Sequence, residues 1–160
     1  MDEAPAFAHA FEAAFGRLQV AILEACAREP VWSAKVAAGV RVSLDLAASD
    51  PAAAQILTNE ALATGREGLE RYERLIAYLE DRLLPGRSER ADGESLPAVT
   101  ERAMAGGLVT LVAQRVDQGQ EDELPALAPE AIQFVLTPYL GGEEARRVAA
   151  RFRPIEPGGL

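Results

Sequence analysis

Apolar residues recur every three or four positions along almost the whole chain, and no period-two alternation persists anywhere. That spacing places them on one side of successive α-helices, so the sequence commits to helices packed on helices. The stretch from Thr100 to Glu144 shows this most clearly, with two helix-length apolar patterns separated by the acidic run Glu121-Asp122-Glu123. The first concentrates small residues at Ala103, Gly106, Gly107 and Thr110. Small side chains at helical spacing let another helix approach closely, which marks a pairing surface. Ala103, Gly107 and Thr110, with Ile132, Val135, Leu136 and Tyr139, are the expected contacts of a four-helix homodimer interface.

The rest of the chain divides in the same way. A first helix is expected from about Pro5 to Arg28, with Phe7, Phe11, Phe15, Leu18, Ile22 and Cys26 on one stripe, and Pro30 breaks it. A second runs from Trp32 to about Ser49 and turns Val36, Val40 and Leu44 inward. Asp50-Pro51 reads as a restart, Asp capping and Pro taking the first helical position. The third helix, to about Thr64, aligns Ala53, Ile56, Leu57, Glu60 and Ala61 before Gly65. A fourth, about Arg66 to Leu84, sets Leu69, Tyr72, Ile76, Leu79 and Leu83 against a charged remainder. Pro85 to Ser95 is polar and aperiodic, hence a loop. Further helices are expected from about Pro97 to Gln118 and Pro129 to Leu140, then a short one from Glu143 to Phe152. Pro138 should kink the second of these near Phe134–Thr137. The fold class is therefore all-α, a bundle of six to seven helices, with one domain over 1–153 and a flexible tail over 154–160.

Composition narrows the function classes. The chain has 160 residues, of which 49 % are hydrophobic and 6 % aromatic, which suits close helix packing. A formal net charge of −9 opposes direct binding of nucleic acid, whose phosphates need a cationic footprint. Cys26 is the one cysteine, so no intrachain disulfide can form, and its stripe suggests a buried thiol. No apolar run approaches the ~20 residues that span a bilayer. The start, MDEAPAF, lacks the cationic flank of a secretory signal, and a cytoplasmic location is expected.

Groupings able to do chemistry are scarce. His9 is the sole histidine and falls at an exposed position, and no His, Cys or carboxylate pair has metal-ligand spacing. Gly106-Gly107-Leu108 lies inside a helical pattern and lacks the Lys and Ser partners of a phosphate loop. Glu121-Asp122-Glu123 lacks the alternating ligands of a calcium loop. Neither an enzyme nor a cofactor is expected. Glu60, on the inward stripe, either reaches solvent, pairs with Arg66 or a neighbouring helix, or serves as a polar contact in a cavity, since an unpaired buried carboxylate is costly. Trp32 and Tyr72 each offer an apolar body with one hydrogen-bonding atom. With Leu57, Glu60, Ala61, Ile76, Met104, Leu108 and Leu111 they are the expected walls of an apolar small-molecule pocket.

Three stretches stand in an order that resembles the ligand-binding half of TetR-type transcriptional regulators. FEAAFGRLQVAILEACAREPVW is similar to the helix that connects to their DNA-binding part. LAASDPAAAQILTNEALATGREGLERYERLIAYLEDRL resembles the two central helices, and AMAGGLVTLVAQRVDQGQEDELPALAPEAIQFVLTPYLGGEEA the two dimer helices with their connector. The likeness runs from about Phe7 to Ala149. It implies a TetR-type C-terminal fold, a homodimer and a small apolar effector. It also implies that DNA is reached only through an N-terminal helix-turn-helix, which does not precede the connecting helix here. Two further classes are open: a stand-alone dimerisation module that heterodimerises with a full-length regulator without ligand or DNA binding of its own, and a small helical enzyme.

Overall fold

In the computed structural model, which describes residues 3–153, the chain forms seven helices, and no strand occurs among the described residues. The tail expected over 154–160 lies outside those residues. Helices α1 (Glu3–Ala27) and α2 (Trp32–Ser49) run antiparallel across the turn at Pro30. The pairing register is read from their ends: Cys26 meets Lys35, while Arg17 meets Asp50. Asp50 then caps the next helix, its carboxylate accepting from the Ala53 N–H at 3.1 Å, and Pro51 takes the first turn.

Helix α3 begins as Pro51–Gln55, passes through a π-helical turn at Ile56–Glu60 and finishes as Ala61–Ala63. A regular helix is what the sequence predicts here. The departure has an identifiable cause in side chains that compete for the backbone. The Thr58 hydroxyl donates to the Ala54 carbonyl at 2.7 Å, and the Asn59 amide donates to the Ala113 carbonyl of a distant helix at 3.2 Å. Such single π turns often mark functional positions.

Gly65, at φ +75°, turns the chain into α4 (Gly65–Leu83). Gly68 is packed so closely on the Ala61 carbonyl that a Cβ would stand 2.0 Å from its oxygen. The buried side of α4 is carried by Leu75, Ile76 and Leu83, while Leu69, expected inward, is 46 % exposed. Arg74 grips Glu12 of α1 through two bonds of 2.6 and 3.2 Å. Two 3-10 turns, Leu84–Glu89 and Gly93–Ser95, give the polar loop defined structure. Then follow α5 (Thr100–Asp117), a 3-10 turn at Glu121–Leu127, α6 (Ala128–Leu140) and α7 (Gly142–Ala150). Arg102 of α5 reaches both Glu73 and Glu80 of α4. Helix α6 continues through Pro138 to Leu140.

The buried apolar side chains fall into two clusters. One joins Phe11, Phe15, Leu18 and Ile22 of α1 to Leu57, Ala61, Leu75, Ile76 and Val109. The other joins Val36, Val40 and Leu44 of α2 to Leu124, Ile132, Val135, Leu136, Tyr139 and the inner face of α7. Adjacent helices α1 and α2 thus belong to different cores. The division decides where space is left.

Candidate functional site

A cavity of about 620 Å³ occupies the gap between the two clusters. Its walls are Ala14, Leu18, Ile22, Leu23 and Cys26 of α1, and Val36, Gly39, Val40, Ser43, Leu44 and Ala47 of α2. Ala53, Ala54, Leu57 and Thr58 of α3, Leu75, Leu79 and Leu83 of α4, and Leu108, Val109 and Val112 of α5 complete it. Small residues explain the vacancy: where α2 passes α1, Gly39 presents no side chain to Ile22 and Cys26, and Ala47, Ala53 and Ala54 stop at Cβ. The volume and the mainly apolar wall are those of a small-molecule site.

Polar atoms are few and mostly committed. The Ser43 hydroxyl donates to the Gly39 carbonyl at 2.7 Å, as Thr58 does to Ala54, leaving each oxygen free to accept. The Cys26 thiol is half-buried on the wall, not deep in the core as its stripe suggests, and donates to the Lys35 carbonyl at 3.3 Å. Burial pushes its pKa up, with the charges of Lys35 and Arg82 pulling the other way. A thiol in that state is a weak nucleophile.

Trp32 closes one end of the cavity and is held on three sides. Its indole N–H donates to the Arg82 carbonyl at 3.0 Å, its ring meets Tyr139 edge-on with centroids 5.2 Å apart, and its far edge abuts Gly86. Tyr139 in turn donates its hydroxyl to Glu101 at 3.1 Å. Arg87 takes both oxygens of Glu101, from Nε and one terminal nitrogen, each at 2.9 Å. The same guanidinium donates to the Leu96 and Pro97 carbonyls at 2.9 and 2.8 Å, fixing the loop onto α5. Burial alone would raise the pKa of Glu101. Hydrogen bonds from Arg87, its own backbone and Tyr139, with the Arg87 charge, bring it below the ordinary carboxylate range. Tyr139 is pushed far upward, first by burial and then by its bond to Glu101. No sequence signal announced this group, because Arg87 lies in an aperiodic loop and Glu101 reads as a helix-start acid.

Of the expected pocket residues, Trp32, Leu57 and Leu108 line the cavity. Ala61 and Ile76 are packed into the α1–α3–α4 core, with exposures of 0 % and 2 %. Glu60 is exposed, which corrects its inward assignment: Ala53, Leu57 and Ala61 keep the buried face and the π turn carries Glu60 off it. Tyr72 opens onto a separate shallow depression with Thr58, Leu62 and Thr110. Met104 and Leu111 pack against the α2–α6 cluster, because only one turn of α5, around Leu108 to Val112, reaches the cavity. In the sequence the α1 and α2 walls read as ordinary core stripes. The signal that could have exposed them is the set of small residues Gly39, Ala47, Ala53 and Ala54 among larger apolar neighbours.

The expected pairing face needs a similar correction. Ala103, Gly107 and Thr110 are exposed on α5, but Ile132, Val135, Leu136 and Tyr139 are buried in the core of their own chain. The outward stripe of α6 is Glu130, Phe134 and Thr137. Phe134, 47 % exposed, lies across Gly107, where an added Cβ would come within 3.2 Å of its ring.

Among the described residues, no group of three or more His, Cys, Asp or Glu is placed to hold a metal ion, and no helix is long and apolar enough to cross a membrane. No family model, curated protein or solved structure matches this chain.

Proposed function

We propose that the chain is the ligand-sensing and dimerising part of a TetR-type transcriptional regulator acting in the cytoplasm, with a small apolar molecule as effector. The observation that carries this reading is the cavity, and above all its position. One whole wall is α1, the helix that the sequence resemblance equates with the connector to a DNA-binding part. An occupant lodged between α1 and α2 sets the spacing of those two helices, and with it the placement of anything attached to α1. Duplex DNA would be contacted by a helix-turn-helix joined to α1, not by these acidic residues.

A thermal-shift screen of apolar and aromatic compounds tests the sensing role. A binder at a hundredfold excess over its dissociation constant should stabilise the folded state by about 2.7 kcal/mol. Substituting Leu57 or Leu108 with Trp should abolish the shift, whereas Ile76→Val should not. A screen without a single stabilising compound counts against the reading.

Self-association is the second half of the proposal. The revised face, Ala103, Gly107 and Thr110 with Phe134 and Thr137, would pair isologously across a two-fold axis. Sedimentation of the unmodified chain at micromolar concentration should give a dimer, and Gly107→Leu should shift it toward monomer. Phe134 can swing outward to admit the new side chain, so the variant should stay folded. A monomeric unmodified chain would sink the pairing.

A further inference from the structure

We infer that the occupant of the cavity is a single-chain amphiphile, with a linear hydrocarbon tail along the α1–α2 seam and a carboxylate or phosphate head at Lys35 and Arg82. The inference rests on the reading of the cavity as a ligand site and concerns what enters it.

Shape is the first argument. The α1 wall runs from Ala14 to Ala27, a span of about 20 Å at ~1.5 Å per residue, and α2 faces it over a similar length. Carbon–carbon bonds of ~1.5 Å at ~111° advance about 1.25 Å per atom, so an extended chain of roughly sixteen carbons spans the seam from end to end.

Charge is the second argument. Along the α1–α2 seam the cavity wall is mainly apolar, and its ionic groups are Arg17 and Asp50 near one end and Lys35, Asp81 and Arg82 near the other. Arg17 and Asp50, at one end, are paired at 3.4 Å and cancel. The Cys26 end holds Lys35, Arg82 and Asp81, two cations to one carboxylate. Lys35 Nζ has only the Cys26 carbonyl, at 3.4 Å, and the Arg82 guanidinium lies over the Tyr78 ring at 4.8 Å. Neither cation has a carboxylate within 4.0 Å among the described residues. In a chain with a net charge of −9, two cations without carboxylate partners at the edge of an apolar cavity are the place for an anionic head.

The test is titration of the whole chain with saturated fatty carboxylates of increasing length, each kept below its aggregation concentration, and with the matching primary alcohols and monoalkyl phosphates. Affinity should rise with length to about sixteen carbons and then level. The anionic compounds should bind at least tenfold tighter than the alcohols, and the stronger of the two heads identifies the source. In Lys35→Ala/Arg82→Ala that advantage should disappear while alcohol binding is kept; Lys35→Gln/Arg82→Gln serves if the first variant is unstable. The Arg82 carbonyl that holds Trp32 is untouched by either. Alcohols binding as tightly as carboxylates, or affinity indifferent to chain length, overturns the proposal. Tighter binding of compact aromatic compounds overturns it too, but leaves the sensor reading standing. Failure of every class to bind removes both.

Discussion

Replacing Glu101 with alanine should lower the thermal midpoint by on the order of 10 °C, without touching the cavity wall. Glu101 is 6 % exposed, and its two oxygens together accept from Arg87 twice and from Tyr139 once. Its removal leaves the Arg87 Nε–H and the buried Tyr139 hydroxyl without an acceptor, which costs about 3 kcal/mol, the upper end for a buried polar group left unsatisfied. In a domain of this length each kcal/mol moves the midpoint by roughly 2–4 °C. Glu101→Gln keeps the shape and should cost less. It also isolates the charge. The folded-state pKa of Glu101 is depressed, so its contribution is complete above the ordinary carboxylate range and disappears as pH falls through the lowered value. The stability gap between the unmodified chain and Glu101→Gln should therefore be widest near neutrality and close on acidification. Chemical denaturation at a series of pH values checks this, and a gap that ignores pH would show that the carboxylate charge is not what holds the loop.

Gly86→Val should be nearly as damaging, for a steric reason. A Cβ at position 86 would stand 2.3 and 2.6 Å from two carbons of the Trp32 ring and 2.7 Å from Tyr139. Both neighbours are rigid rings with fixed polar ends, the indole on the Arg82 carbonyl and the phenol on Glu101. Neither can give way without breaking its bond. Overpacking of this kind costs about 1–3 kcal/mol, and the branched side chain belongs at the upper end. The expected result is a lower denaturant midpoint with an unchanged slope, together with weaker binding in the cavity that Trp32 closes. If the midpoint holds, the aromatic pair is looser than its geometry indicates.

Much of the secondary structure was legible because periodicity records which side of a helix meets solvent. The Asp50-Pro51 restart and the breaks at Pro30 and Gly65 stand where local chemistry puts them. What could not be read depends on partners remote in sequence. The π turn is supported by Asn59 and a carbonyl on α5 as well as by the local bond of Thr58, and the remote half of that support is not announced in the sequence around it. Helix α6 is apolar on two sides, and periodicity does not say which side belongs to its own core; Ile132 and Tyr139 go in, Phe134 stays out. The cavity was the hardest feature to foresee, because a space has no residues of its own. Leu57 and Ala61 share one stripe, yet the first faces the void and the second is packed solid.

Trp32 is the chain's single tryptophan, and it sits on the cavity wall. The near-ultraviolet emission of the protein therefore originates at that wall, with Tyr139 as a nearby absorber and no second indole to dilute the signal. Hydrocarbon replacing water beside the ring would move the emission to shorter wavelength, while an occupant that pried the indole from the Arg82 carbonyl would move it the other way. The direction of the colour change thus distinguishes a ligand that fills the space from one that displaces its end wall, in unlabelled protein and in a single titration.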